Sequence, residues 1–295
     1  MMETPAPNPG SDAPLRILRS VAELRAIGND WRRAGESIGL VPTMGGLHDG
    51  HLELVRRARA ENDRVIATIF VNPRQFDRAD DLKSYPRDEA RDARLLAEIG
   101  TDLLFAPDVT EVYPEDFRTR VIVDGLTKCM DGVHRPGHFE GVATVVCKLL
   151  LQALPDRAYF GEKDFQQLLV VSQLVRDLNI PAEIVPVATV RSPDGLALAS
   201  RNVYLTEEER RIAPLLHGTM QEVAADLRDG APALPLILSA TSTWLRAGFR
   251  GIDYFDLRDA ENLASLDALS NRPARLLVAA WLGKVRLIDN IGVAA

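Results

Sequence analysis

Residues 38–55 read Ile-Gly-Leu-Val-Pro-Thr-Met-Gly-Gly-Leu-His-Asp-Gly-His-Leu-Glu-Leu-Val, and three kinds of local structure follow one another along them. The apolar run from Ile38 to Val41 predicts a short buried strand, which we expect Pro42 to end. Two glycines then open a turn, and a helical pattern begins at Leu52. The sequence therefore predicts a strand, a glycine turn and a helix in immediate succession.

The turn carries two histidines, His48 and His51, separated by Asp49 and the small residue Gly50. The N-terminal amides and the positive dipole end of the following helix point at the turn, which favours an anion there. Without other information such a pair is a capped turn or, with carboxylates nearby, a zinc site. Neither interpretation explains the two glycines and the Thr-Met pair before the histidines, but the residues alone leave the capped turn, the zinc site and the anion site open.

Residues 42–51, Pro-Thr-Met-Gly-Gly-Leu-His-Asp-Gly-His, resemble the His-x-Gly-His signature of nucleotidyl-transferring enzymes in the form carried by the pantoate–beta-alanine ligase (pantothenate synthetase) family. Four more stretches are similar to that family's motifs and stand in its order: Asn-Pro-Arg-Gln-Phe at 72–76, Arg-Pro-Gly-His-Phe-Glu-Gly-Val at 135–142, Gly-Glu-Lys-Asp-Phe-Gln-Gln-Leu at 161–168 and Leu-Ala-Ser-Arg at 198–201. The resemblance covers about residues 15–292, and chance does not produce five such motifs in order.

Composition restricts the class of protein. The 295 residues are 46% hydrophobic and 26% charged, which is typical of a soluble globular chain of two domains. A formal net charge of -7 with no basic block disfavours a nucleic-acid partner. No apolar run approaches the ~18 residues of a membrane helix, so no membrane partner is expected. Two cysteines, Cys129 and Cys147, and no recognisable signal sequence predict a reducing, cytoplasmic location.

The remaining pattern alternates strands and helices. Residues 64–71 form a continuous apolar run, as central parallel strands do. Further strands are predicted at 102–105, 119–123, 157–160 and 182–190, and helices at 20–33, with a Ser20/Glu23 capping box, at 87–99, at 142–154 and after 164. Residues 80–88 are read as a polar loop. We therefore predict an α/β fold with a doubly wound (Rossmann-like) parallel sheet.

Composition and pattern also suggest how the chain is divided. Residues 1–14 contain four prolines and are predicted to be a disordered tail. Residues 15–200 are predicted to form the Rossmann-like domain that binds nucleotide and pantoate. Residues 201–295 are predicted to form a smaller α+β C-terminal domain that acts as a lid, with a plain dimerisation module as the alternative. Its predicted elements are a long helix at 206–229, a helix at 233–248, and strands at 254–257, 274–281 and 285–290.

The resemblance implies a two-step ligation. The carboxylate of pantoate attacks the α-phosphorus of ATP and releases pyrophosphate, and the amine of beta-alanine then attacks the pantoyl adenylate and releases AMP. The implied catalytic residues are His51, His48 and Lys163. The implied ATP-binding residues are Met44, Gly45, Gly46, Leu47, His48, Asp49, Gly50, His51, Gly161, Glu162, Lys163, Asp164, Val190, Leu198, Ala199, Ser200 and Arg201. Ala199 stands where the family usually has a serine, so one hydroxyl contact is in doubt.

Two glutamines, Gln75 and Gln167, match the family's pantoate-binding positions, and neutral amides suit the hydroxyl groups of pantoate. Asn72, Arg135 and His138 complete the implied set of residues that bind pantoate or beta-alanine. The family also implies a homodimer, and the apolar helix at 142–154 is a candidate for its interface.

Attack of a carboxylate on a polyphosphate brings negative charges together, so the chemistry needs fixed positive charge more than a base. His48, His51, Lys163 and Arg201 are the expected sources of that charge. Mg2+ is the expected cofactor beside ATP, bound mostly through phosphate and water, and Asp88 is the candidate protein ligand.

Two other functions remain compatible with the residues. A cytidylyl- or adenylyltransferase acting on a phosphorylated substrate would share the His-x-Gly-His turn, but it would not need the two glutamines and would make a stable nucleotide product. A non-catalytic nucleotide-binding module would bind ATP without turning it over. Isotope exchange between pyrophosphate and ATP, with and without pantoate, separates the three.

Overall fold

The computed structural model describes residues 15–293, and the predicted tail at 1–14 lies outside the described residues. The strands are β1 (Arg16–Leu18), β2 (Ile38–Thr43), β3 (Arg64–Ile69), β4 (Leu103–Phe105), β5 (Arg157–Gly161), β6 (Glu183–Val187), β7 (Phe249–Asp259), β8 (Ala274–Leu282) and β9 (Val285–Val293). The helices are α1 (Val21–Arg33), α2 (Asp49–Glu61), α3 (Ala79–Ser84), α4 (Glu89–Glu98), α5 (Val109–Val112), α6 (Asp131–His134), α7 (His138–Ala153), α8 (Phe165–Asp177), α9 (Glu207–Ile212), α10 (Leu215–Arg228) and α11 (Ala233–Ala247).

Strands β1 to β6 form one parallel sheet in the order β1-β4-β3-β2-β5-β6. Helices α1, α7 and α8 pack on one face of the sheet, and α2 and α4 pack on the other. This confirms the predicted doubly wound α/β fold. On one side of β2 the chain adds β3 and then β4, and on the other side it adds β5 and then β6. The order therefore reverses between β2 and β5, where open parallel sheets leave a crevice at the strands' carboxyl ends.

Strand β2 is longer than predicted, because it continues through Pro42 to Thr43. Strand β2 pairs with β5 only at Gly39 and Leu40. The N–H group that Pro42 lacks would therefore make no hydrogen bond to β5 in any case. The strand signal itself was correct: Ile38, Leu40 and Val41 are fully buried, as the absence of alternation indicated.

Helix α7 lies in the core of the chain. Thirteen of its sixteen residues are buried, and it packs against α1, α8 and the 3₁₀ turn Pro73–Gln75. A side chain at Gly141 would place its Cβ 2.2 Å from the carbonyl oxygen of Arg74, so only glycine allows this approach. The apolar sequence of α7 is thus explained within one chain, and this helix provides no argument for a subunit interface.

Three predicted elements are wrong. Residues 119–123 form no strand, and the Val121 N–H instead donates to the Thr144 hydroxyl of α7 (3.0 Å). The predicted helix at 206–229 is two helices, α9 and α10, separated by Ala213 and Pro214, since proline cannot continue the α9 hydrogen-bond ladder. The predicted polar loop at 80–88 contains helix α3. The edge strand β1, only three residues long, was not predicted.

Strands β7, β8 and β9 form an antiparallel sheet, and α10 and α11 pack on it around the fully buried Trp244. A smaller α+β part after the parallel sheet was predicted, and the fold agrees with it. Between residues 15 and 293, no helix is both long and apolar enough to cross a membrane.

Candidate active site

A cavity of about 260 Å³ lies at the carboxyl ends of β2 and β5, where the strand order reverses. The predicted site residues that line it are Met44, His48, Gly50, His51, Gln75, Arg135, His138, Gly161, Lys163, Asp164, Gln167, Val190, Leu198, Ala199, Ser200 and Arg201. The predicted residues outside its lining are Gly45, Gly46, Leu47, Asp49, Asn72, Asp88 and Glu162. The sheet topology thus brings most of five dispersed motifs to one place.

The glycine turn is held by a residue that the sequence did not point to, Asp92 of α4. Its two carboxylate oxygens accept from the N–H groups of Gly46 (2.7 Å) and Leu47 (3.0 Å), and its side chain is 1% exposed. Gly45 and Gly46 have φ of +80° and +62°, the left-handed conformation that favours glycine. Gly45, Gly46 and Leu47 therefore set the shape of the turn although they do not line the cavity. An aspartate within a helix carries no local signal of such a role.

His48 is the N-cap of α2, and its Nδ1 accepts from the Gly50 N–H (3.1 Å). A Cβ at position 50 would lie 2.8 Å from Cε1 of the His48 ring, so the ring can occupy this position only beside glycine. The helix begins at Asp49, three residues earlier than the apolar pattern indicated, and His51 therefore lies within its first turn.

The rings of His48 and His51 lie with centroids 4.1 Å apart. Burial, with smaller contributions from His48 and Lys163, lowers the pKa of His51 to about 3. Burial, followed by the Lys163 charge, lowers the pKa of His48 to about 4. Both imidazoles are therefore neutral at pH 7, contrary to the expectation that they add positive charge. Nδ1 of His51 is buried and has no hydrogen-bond partner among the described residues.

Lys163 lies in a 3₁₀ turn, Glu162–Asp164, that connects β5 to α8. Its Nζ is 3.9 Å from Oδ2 of Asp164, and both side chains line the cavity. Nδ2 of Asn290, from β9, donates to the carbonyl oxygens of Glu162 (2.9 Å) and Lys163 (2.8 Å). Glu162 itself faces away from the cavity toward Arg275, at 3.3 Å.

The loop that carries the predicted ATP-binding residues 198–201, called here the second nucleotide loop, packs against the glycine turn. The Ser200 hydroxyl donates to the carbonyl oxygen of Gly46 (3.0 Å). Arg201 makes a bidentate ion pair with Asp81 of α3, at 3.1 and 2.8 Å, and its guanidinium lies over the Tyr85 ring. Ser200 and Arg201 are therefore already paired with protein groups, and Lys163 is the less engaged cation.

The two predicted glutamines lie on different elements. Gln75 is buried and accepts from Nδ2 of Asn72 (2.9 Å), while its own Nε2 donates to the Met44 sulfur (3.1 Å). Gln167 is on α8 and lines the cavity, whereas its neighbour Gln166 is directed at the backbone of the loop before α6.

Asn72 acts behind Gln75. It is 1% exposed, and its side chain also accepts from the Tyr113 hydroxyl (3.0 Å) and donates to the carbonyl oxygen of Gly141 (3.1 Å). Every hydrogen-bonding group of this amide is thus directed at the protein, and the structure places Asn72 outside the cavity lining.

Arg135 and His138 hold the backbone of Gln75. Nδ1 of His138 donates to the Gln75 carbonyl oxygen (2.8 Å), and Nη1 of Arg135 donates to Nε2 of His138 (3.3 Å). Burial and the Arg135 charge lower the pKa of His138 to about 4, so this ring is neutral at pH 7. Both side chains line the cavity.

The antiparallel sheet supplies a wall of the cavity that the sequence did not reveal. Tyr254, Asp289 and Asn290 line it, together with Asp131 from the start of α6. The Tyr254 hydroxyl donates to Asp131 (3.1 Å), which also pairs with Arg286 (2.6 Å). These residues stand in no motif, and the pairing of distant segments is not visible in the sequence.

The predicted metal ligand, Asp88, is the N-cap of α4 and accepts from the Arg91 N–H (3.0 Å), outside the cavity lining. Three carboxylates line the cavity: Asp131, Asp164 and Asp289. Asp131 and Asp289 are each paired with an arginine at 2.6 Å, which leaves Asp164 the freest of the three. Within residues 15–293, no group of three or more His, Cys, Asp or Glu side chains is arranged to hold a metal ion.

A family model described as pantoate-beta-alanine ligase matches residues 16–292. The chain is 54% identical over 277 residues to the pantothenate synthetase of Roseobacter denitrificans, an alignment that covers 94% of this chain and 97% of that protein. It is similar to a solved pantothenate synthetase from Thermus thermophilus, with a TM-score of 0.88, 50% identity and coverage of 95% and 100%. It is also similar to the Francisella tularensis pantoate-beta-alanine ligase complexed with beta-gamma ATP and beta-alanine, with a TM-score of 0.81, 34% identity and coverage of 94% and 97%.

Proposed function

Because the chain belongs to the pantoate–beta-alanine ligase family, we propose that its cavity joins pantoate to beta-alanine at the expense of ATP, through a pantoyl adenylate. One observation carries the proposal. At the reversal point of the sheet, a closely packed histidine pair and a lysine on two helix-starting turns face the same cavity as Gln75 and Gln167. The first group suits a polyphosphate, and the two amides suit a hydroxylated carboxylate.

In the first step, an oxygen of the pantoate carboxylate bonds to the α-phosphorus of ATP, and the bond from that phosphorus to pyrophosphate breaks. Negative charge accumulates on the leaving pyrophosphate. We assign to Lys163 the fixed positive charge that meets it, and to His48 and His51 the role of neutral hydrogen-bond donors, because their low pKa values keep them uncharged. The N-termini of α2 and α8 add their dipoles.

In the second step, the amine nitrogen of beta-alanine bonds to the acyl carbon, the bond to AMP breaks, and the amine loses a proton. We assign the hydroxyls of pantoate to Gln75 and Gln167, with Asn72 orienting the Gln75 amide. Arg135 and His138, beside Gln75, are assigned to substrate carboxylate. Residues 201–295 then serve as a lid and wall, since Tyr254 and Asn290 line the same cavity.

Mg2+ fits this site as a cofactor with few protein ligands. The ion keeps much of its water and binds phosphate oxygens, with one or two carboxylates at most. Asp164 suits that role better than Asp88, because it lines the cavity and is not held in a close arginine pair. When bound, the ion would neutralise phosphate charge.

The function is tested by isotope exchange between pyrophosphate and ATP. We expect exchange that depends on pantoate and needs no beta-alanine, because adenylate formation is reversible and uses only the first carboxylate. Exchange with cytidine triphosphate instead would favour the nucleotidyltransferase alternative. ATP binding without any exchange would favour a non-catalytic module, and either result would reject the ligase.

We also propose a cytoplasmic homodimer. Cys129 and Cys147 are both free thiols, as a reducing compartment requires. Most of α7 is buried within the chain, so we assign the second subunit to apolar side chains that are more exposed. Ile122, within the non-helical segment 117–123, and Val133 of α6 are 65% and 60% exposed. Both side chains are candidates for the surface that contacts the second subunit.

The homodimer predicts a particle of twice the 32.5 kDa chain mass in light scattering at micromolar concentration. Ile122→Glu should shift the mass toward one chain while circular dichroism stays unchanged. A wild-type protein that scatters as a single chain would refute the dimer.

A further inference from the structure

We propose that Asn290 of β9 is a positioning residue for Lys163, so that the antiparallel sheet sets the geometry of the phosphate-binding turn. The side-chain amide donates to two consecutive carbonyl oxygens, Glu162 at 2.9 Å and Lys163 at 2.8 Å. Asn290 is 3% exposed, and its Oδ1 accepts from Nη1 of Arg275. The proposal rests on the proposed contact of Lys163 with ATP.

The amide reaches two consecutive carbonyl groups of a short connecting turn. Glu162–Asp164 is a single 3₁₀ turn between β5 and α8, and a turn of this length makes few hydrogen bonds of its own. One amide from a neighbouring sheet therefore adds two hydrogen bonds that the turn cannot make by itself. Arg275 fixes the other end of the same amide and also contacts the Glu162 carboxylate (3.3 Å), so both sides of the turn are tied to the sheet.

Asp289, the residue before Asn290, links β9 to the second nucleotide loop through Arg191. Asp289 is 4% exposed and makes a bidentate pair with Arg191, at 2.6 and 2.8 Å. Arg191 in turn donates to the Gly195 carbonyl oxygen (3.1 Å) of the turn that leads into Ala199 and Ser200. Two adjacent residues of β9 therefore hold two loops that reach the cavity from different parts of the chain.

The inference is tested by calorimetric measurement of ATP affinity in Asn290→Ala, Asn290→Asp, Lys163→Ala and the double variant Asn290→Ala/Lys163→Ala. Asn290→Asp keeps the size of the side chain and its contact with Arg275 but loses both donors, so folding should survive in it. We expect each Asn290 variant to bind ATP about tenfold more weakly, on the scale of one to two lost hydrogen bonds. In the Lys163→Ala background the further loss should be under about twofold, because positioning has no effect without the lysine.

Amide hydrogen exchange, measured without ATP, reads the turn directly. Exchange in residues 162–167 should become severalfold faster in both Asn290 variants and stay unchanged in Asn262→Ala, an exposed asparagine of the same sheet region. Unchanged exchange in the Asn290 variants, or a tenfold loss of ATP affinity that persists without Lys163, would overturn the inference. A Lys163→Ala variant that binds ATP like the wild type would instead refute the role proposed for the lysine, and with it the positioning role.

Discussion

Replacing His51 by alanine is expected to lower kcat roughly 10²-fold, the scale of losing one preorganised hydrogen-bond donor at developing charge. The ring is in the first turn of α2, lines the cavity and has a pKa lowered to about 3, so it is neutral at pH 7. A ring held in the site can donate its hydrogen bond to the departing pyrophosphate without any rearrangement of surrounding water. The loss should appear equally in the first step alone, measured as pyrophosphate exchange.

His134 provides the matched control. It is exposed, lies outside the cavity lining, and His134→Ala should leave kcat within about twofold. Circular dichroism should show that both variants are folded. If His51 were only a packing residue, His51→Ala would lower the unfolding temperature while the remaining folded protein kept near-full activity, and that pattern would contradict the assignment.

Gln75→Ala and Gln167→Ala should each raise the KM for pantoate roughly tenfold or more, with little change in the KM for ATP. Each substitution leaves polar groups of pantoate unpaired in a closed site, which costs about 1 to 3 kcal/mol. The effect of Gln75→Ala should be the larger, because it also leaves the Asn72 amide without its acceptor (2.9 Å). Initial rates at varied pantoate and at varied ATP measure the two constants separately.

Gln173→Ala is the control, since Gln173 lies on the same helix as Gln167 but bonds to Asp177 (2.6 Å) away from the cavity. It should change neither constant by more than about twofold. Equal increases in both KM values for the Gln75 and Gln167 variants would mean that these amides support the site as a whole and do not select pantoate.

The charges in the site are distributed unevenly. With the histidines neutral, the cations that line the cavity are Lys163, Arg135 and Arg201. Arg201 is paired with Asp81, and Arg135 lies 3.5 Å from Asp77, so both carry a nearby counter-charge. Among the described residues, the carboxylate beside Lys163 is the half-exposed Asp164, at the longer distance of 3.9 Å. The local charge balance therefore supports the proposal that Lys163 is the principal positive group for a phosphate and that Asn290 positions it.

Much of the architecture was predictable because it rests on short-range rules. Continuous apolar runs predicted β2 as a buried strand and β3 as a central parallel strand, and the Ser20/Glu23 capping box placed the start of α1 at the correct residue. Two of the elements that were wrong or missed depend on which strands lie beside them. Residues 119–123 have strand-forming side chains but pair with no strand, whereas the three residues of β1 pair with β4.

The candidate site divides in the same way. Side chains that act through their own turn, such as His48 beside Gly50, could be read from residue types and spacing, since a ring over a glycine is a local contact. The sequence by itself determined the fold class, the family and sixteen of the residues that line the cavity. Only the tertiary structure decided that the histidines are neutral, that Asp92 holds the glycine turn and that Asn290 holds the lysine turn. The physical reason is that these features exist only after distant segments pack together. Burial lowers the histidine pKa values, and the two hydrogen bonds join residues that are 46 positions apart (Gly46 and Asp92) and 127 positions apart (Lys163 and Asn290).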